Sequence, residues 1–354
     1  MGLLRVVLAM AVLLSHLPPA SVHFISGALA VQGFFIVSGF YMALVLKTKY
    51  RAIGLFYSNR LARLLPAYFV MLAISAVLLF AFNVSGTSTR QIFALAYGHP
   101  TTAALLIVEN LGLLGQDLLY WFRLAPDGAL AFDPTGAPAT DASPVAWQAL
   151  LVPQSWSLSL ELMFYALAPY LARLSWRWLA ALAAASIALR LAGYFLPLDY
   201  GLWQGRFFPT SLFLFLLGML AHRALPLAAS LPKGIGLALG AAILALVIFL
   251  PAAPLNPEIA RWLAYFAIAA TIPFIFHASK DIAFDRWIGD LSYPIYLGHL
   301  AVIGWILTFD TPHPVWAAII GTLALSILLP LAIDRPVDRW RQRRALRLSA
   351  NSAA

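Results

Sequence analysis

Cysteine is absent from this chain, which excludes disulfides and thiolate chemistry. Charge is nearly as scarce. Only 10% of the 354 residues are charged, against roughly a quarter in soluble domains. Acidic residues number 14 against 23 basic ones, a formal balance of +9. A basic total alone does not point to nucleic acid, and no nucleic-acid partner is expected. The seven histidines, His16, His23, His99, His222, His277, His299 and His313, show no metal-ligand spacing, so no metal site is expected either. There is no internal repeat and no matched pair of Gly/Pro-broken segments, the pattern many transporters carry.

What the chain has instead is hydrophobic residues, 62% of the total, arranged in long blocks. That pattern predicts an all-α polytopic integral membrane protein. About ten segments are long enough to span: 4–21, 24–46, 61–82, 155–173, 178–197, 207–224, 234–251, 259–277, 288–309 and 315–333. A secretory signal is the competing reading of the first twenty residues. A histidine in the apolar core and the lack of a small-x-small site after Pro19 speak against it.

Positive charge sets the orientation, because Lys and Arg stay in the cytoplasm. With both termini cytoplasmic, 18 of the 23 basic residues fall inside, including six arginines from Arg335 onward, and the short outer turns keep only Arg206 and Arg261. That bias collapses if the apolar stretch 103–119 also crosses. This stretch is therefore expected as an interfacial or re-entrant helix within a long outer region, 83–154. The Pro/Gly/Ala/Asp-rich patch 124–144 reads as an irregular, mobile loop. The organisation is thus a membrane domain, 1–334, followed by a basic cytoplasmic tail, 335–354, suited to anionic membrane lipids.

Several polar residues sit deep in these segments. At about 1.5 Å per residue, His16 lies ~16 Å from Arg5, near the middle of a ~30 Å hydrocarbon core. Gln32, Glu161 and His299 lie about 12, 10 and 16 Å into their spans, and Ser38, Ser157, Tyr165, Tyr293 and Tyr296 share those helices. One such group is ordinary interhelical glue. Several at similar depth on different spans predict a polar chamber, because an ionised group costs at least a few kcal/mol at the bilayer centre. At the inner face, Arg60 and Arg63 share one helix face three residues apart. Two guanidiniums placed so suit a phosphate. Two functions fit: a transporter that uses the chamber for solute, or an acyltransferase that binds an anionic donor below and reacts in the membrane.

The ordered motifs "LRVVLAMAVLLSH", "GFFIVSGF", "RLARLLPAY", "SWSLSLELMFY" and "LSYPIYLGH" resemble acyltransferase family 3, from Leu4 to about Asp334. The resemblance implies ten spans in a bacterial inner (plasma) membrane and O-acylation of a cell-surface or lipid-linked glycan. It implies acyl-CoA, usually acetyl-CoA, as co-substrate. It also implies that His16 is central and that Arg5, Arg60 and Arg63 hold the donor. On that expectation His16 acts as general base. Glu161 orients a histidine or binds acceptor hydroxyls, and His299 or the tyrosines stabilise the oxyanion. Gln32, Ser38, Ser157, Tyr293 and Tyr296 are the expected substrate-binding residues. An acyl-enzyme on His16 or a serine is the open variant. The chain ends about twenty residues after its last span, so transfer is expected to finish within the membrane domain or by hand-off to a separate protein.

Overall fold

The computed structural model describes residues 1–17, 25–48, 52–136, 139–140, 143–309, 311–334 and 336. The expected basic tail, apart from Pro336, lies outside the described residues. Fifteen helices and one hairpin are named among them: α1 Gly2–Ser15, α2 Gly27–Thr48, α3 Ile53–Phe82, α4 Arg90–Gly98, α5 Pro100–Gly112, β1 Phe122–Leu124, β2 Leu130–Phe132, α6 Trp156–Leu171, α7 Trp176–Ala192, α8 Tyr200–Arg206, α9 Phe208–His222, α10 Leu225–Ser230, α11 Lys233–Phe249, α12 Pro257–Ser279, α13 Ala283–Asp290, α14 Ser292–Thr308 and α15 Pro314–Leu329.

Among the described residues each of the ten apolar segments contributes a helix, but the span count differs from expectation. Seven helical units among the described residues are long and apolar enough to cross a membrane, or eight if α4 and α5 form one broken span. The other three expected spans correspond to α1, α6 and α9, with 14, 16 and 15 residues. At ~1.5 Å per residue these fall short of a ~30 Å core. Proline sets the limits. α1 stops just ahead of Pro18 and Pro19, α6 begins after Pro153 and holds Pro169 near its end, and α9 begins at Phe208 with Pro209 in its first turn.

The expected re-entrant stretch belongs to a bent pair, with α4 and α5 meeting at 117°, the geometry of a broken span or a re-entrant loop. Thr89 caps α4 by accepting from the Ile92 N–H (3.2 Å), and Pro100 opens α5. The patch 124–144 is not irregular throughout. β1 and β2 pair antiparallel with Phe122 opposite Phe132 and Leu124 opposite Leu130, and Gly128 takes the positive φ (83°) of the turn. Arg123 closes the hairpin with an ion pair to Asp133 and a bond to the Ser143 carbonyl (2.9 Å).

The Thr135 hydroxyl (2.6 Å) and then the Arg123 guanidinium hold the Asp133 carboxyl down at about 2. Its contribution is therefore complete above the unfolded carboxylate range, near ~3.9, and is lost as pH falls through about 2. Limited proteolysis at the hairpin should rise as pH drops from 4 towards 2. Asp133→Asn should be cut readily at neutral pH and lack that step. A hairpin equally resistant at all pH values would contradict the role.

Of the seven long helical units, α2 and α13–α14 are the most enclosed, with 67% of their apolar stretch buried, whereas α11 and α15 have 22%. The former are thus central and the latter face lipid. α2 reaches its position through two glycines. A Cβ on Gly39 would fall on the Phe215 carbonyl, and one on Gly218 would fall on the Ile36 carbonyl, so α2 and α9 cross with backbones touching. Phe35, Phe215 and Phe164 stack beside this crossing, at centroid separations of 4.6 and 4.3 Å. The crossing carries Ser38 to face α6. At the hairpin end, Arg206 is sandwiched between Tyr120 (3.5 Å) and Trp156 (3.9 Å), and Tyr120 stacks on Trp147 (5.1 Å). This stack pins the start of α6 to the region above it.

Candidate active site

A cavity of about 520 Å³ opens among α1, α2, α3, α6, α12, α13 and α14. Its walls include Arg5, Arg60, Arg63, Ser38, Ser157, Glu161, Tyr293 and Tyr296, eight of the eleven residues expected at the site. His16, His299 and Gln32 are not among its lining residues.

The basic end is built from two helices. Arg60 is buried on α3 with Phe56 beneath its guanidinium (5.9 Å), and Arg63, one turn on, is half exposed and 3.9 Å from Asp290. Arg5 on α1 lines the same cavity. Asp285 holds α1 in place. Its carboxylate accepts from the N–H groups of Gly2 and Leu3 (both 2.9 Å), as suits a helix N-terminus.

Further in, Glu161 accepts from Ser38 (2.7 Å) and Tyr165 (2.5 Å). This corrects the expectation that it orients a histidine, because main-chain carbonyls do that instead. His16 Nδ1 lies 2.8 Å from the Val12 carbonyl, and His299 Nδ1 lies 2.7 Å from the Tyr296 carbonyl. A carbonyl can only accept, so in each neutral ring Nδ1 carries the proton and Nε2 keeps its lone pair. The two rings are neighbours, with centroids 5.0 Å apart and planes at 54°. His299 is fully buried and its Nε2 has no hydrogen-bond partner. This tautomer gives His299 an acceptor, not a donor, at Nε2, so the neutral ring cannot stabilise an oxyanion through that atom.

His16 differs from expectation in its surroundings. It is the C-cap of α1, one residue past the helix end, and is exposed. The helix stops there because Leu17 precedes Pro18, a position that disfavours α geometry.

The polar groups expected to share a single chamber divide instead: eight line the cavity, and the two histidines lie outside its lining, with Tyr296 of the first set neighbouring His299 along α14. Tyr296 lines the cavity, and its ring centroid is 6.0 Å from that of His299, which lies one turn further along α14. Its hydroxyl donates to the Gln154 carbonyl (2.5 Å) and pairs with Ser157 (2.7 Å). Gln154 in turn donates to the Leu297 carbonyl (2.6 Å). Tyr293 ties α14 to α3 by donating to the Leu64 carbonyl (2.9 Å). Gln32 belongs to a different network: it accepts from Tyr265, which also meets Arg190 (3.2 Å), and Arg190 reaches Gln204 (3.0 Å).

Sequence reasoning missed Gln154, which anchors Tyr296 and α14. The signal for it was a lone amide in "VPQSW", at the mouth of a span. It also missed Tyr41, Phe276, Lys280 and Arg286, which line the cavity. An aromatic or a terminal cation in an apolar span carries no distinctive pattern.

The structure is a helical membrane bundle with a basic cavity and a neighbouring pair of imidazoles. A family model described as an acyltransferase domain matches residues 1–335, and the chain belongs to that family, a family of membrane acyltransferases. No curated protein and no solved structure matches the chain.

Proposed function

We propose that this protein is an acyl-CoA-dependent O-acyltransferase of the bacterial inner membrane, moving an acetyl group to a hydroxyl of a cell-surface or lipid-linked glycan. The observation that carries this reading is one cavity lined by three arginines, the Glu161–Ser38–Tyr165 cluster and Tyr296, with the His16–His299 ring pair next to Tyr296 and its Nε2 atoms unprotonated. We take the basic end as cytoplasmic. The charge asymmetry of the sequence supports this.

The donor's diphosphate rests on Arg60, Arg63 and Arg5. Its pantetheine arm fills the cavity and brings the thioester to Tyr296. The side chain of Tyr296 turns aside for the acyl group to meet His16. The acceptor hydroxyl gives its proton to His16 Nε2 as its oxygen attacks the thioester carbonyl. Once the Tyr296 hydroxyl releases the Gln154 carbonyl, it donates to the oxyanion. Collapse breaks the carbon–sulfur bond, and the departing thiolate takes the proton back from His16. Membership of an acyltransferase family sets the transporter reading aside.

Arg60→Ala should raise the acetyl-CoA KM by about tenfold or more, the scale of a lost charge-assisted hydrogen bond, with a smaller change in kcat. Unchanged KM in purified protein would remove Arg60 from the donor site. Mass spectrometry of envelope glycans from cells with and without the protein tests the acceptor. Loss of O-acetyl groups on a glycan is the expected result, and identical glycans would overturn the reading.

A further inference from the structure

We infer that Lys280 and Arg286 form a second anion site at the cavity rim, which recognises the 3′-phosphate of the donor's adenosine. The inference rests on the donor reading above and extends it to residues outside the sequence motifs. A coenzyme A thioester carries negative charge at two separate places, the diphosphate and the ribose 3′-phosphate. The cavity wall's cations likewise come from two sets of elements. Arg5, Arg60 and Arg63 come from α1 and α3, whereas Lys280 and Arg286 come from the end of α12 and from α13.

Burial runs in the order the donor would need. Arg60 is buried, Arg63 is half exposed, and Lys280 and Arg286 are exposed at the mouth. A donor with its thioester at Tyr296 keeps its nucleotide outermost. Tyr41 and Phe276 are also in the wall, edge to face with centroids 6.1 Å apart. Phe276 is one helical turn before Lys280 on the same face of α12. An adenine against this aromatic pair leaves its 3′-phosphate beside Lys280.

The neighbouring acids do not neutralise the rim cations. Asp281 pairs with Lys233 (3.2 Å), Asp285 is engaged by the start of α1, and Asp290 is beside Arg63. Among the described residues, neither Lys280 nor Arg286 makes an ion pair. Arg286 Nη1 donates to the Lys280 carbonyl (3.1 Å), which holds the two residues together.

The test compares equilibrium binding of coenzyme A and 3′-dephospho-coenzyme A to the full chain in nanodiscs. The native protein should prefer coenzyme A by about tenfold or more. In Lys280→Ala/Arg286→Ala the preference should fall to near unity while affinity for the dephospho form stays as it was. Lys280→Ala/Arg286→Lys should restore part of the preference. A native protein that binds both ligands equally, or a double variant that still discriminates, overturns the inference and leaves the donor reading standing. A double variant that loses affinity for both ligands alike also overturns it, because that marks general attraction. Failure of the native protein to bind either ligand overturns the donor reading and this inference together.

Discussion

His16→Ala is expected to reduce acyl transfer by about 10²–10⁴-fold, the contribution of a positioned general base, while the protein stays folded. The side chain is exposed and lies past the last residue of α1, so its removal takes away no packed core. Its imidazole is prepared for proton acceptance, because the Val12 carbonyl fixes the proton on Nδ1 and leaves Nε2 bare. The readout is transfer of labelled acetyl groups at saturating donor, alongside detergent thermal melting to check the fold. Near-native transfer by a folded His16→Ala protein would remove the residue from the reaction. His299→Gln sharpens the result, because glutamine retains a donor for the Tyr296 carbonyl but lacks the orphaned ring nitrogen. A comparable loss there makes the two rings a working pair, whereas retained activity leaves His16 acting alone.

The second large effect is structural. Gly39→Val should destabilise the protein by about 3 kcal/mol, the upper part of the usual range for overpacking. The obstacle is the Phe215 main chain, which cannot rotate out of the way as a side chain can. Separating α2 from α9 would also draw Ser38 away from Glu161 and open the central wall of the cavity. Detergent thermal melting and yield of folded protein measure this. Gly54→Val is the control, because a Cβ there meets nothing within 4 Å. Equal stability of the two variants would contradict the close crossing.

The helices and their number of apolar segments were legible because lipid imposes long hydrophobic runs on whatever crosses it. Helix length was less legible. Pro18, Pro169 and Pro209 trim or bound helices inside runs that hydropathy alone treats as continuous. The hairpin at 122–132 was hidden because its pairing depends on Gly128 and the Arg123–Asp133 pair within a composition that otherwise reads as loop. Of the site, the three arginines and the Glu161 cluster do share a cavity, because deep polar groups must turn away from lipid. Depth along separate spans does not fix which partner a group finds. Gln32 went to Tyr265, and Glu161 went to Ser38 and Tyr165. Both histidines took carbonyls within one turn of their own helices, a contact invisible to counting residues between motifs.

The account depends on a donor thioester passing Tyr296 to meet His16, and a structure of the protein with a non-hydrolysable acetyl-CoA analogue tests this most directly. The predicted result has the diphosphate on Arg60 and Arg63, Tyr296 swung away from Gln154, and the acyl carbonyl carbon within about 4 Å of where His16 Nε2 can direct an acceptor oxygen. An analogue bound elsewhere, or one whose acyl group stops short of an unmoved Tyr296 in the presence of acceptor, would contradict it.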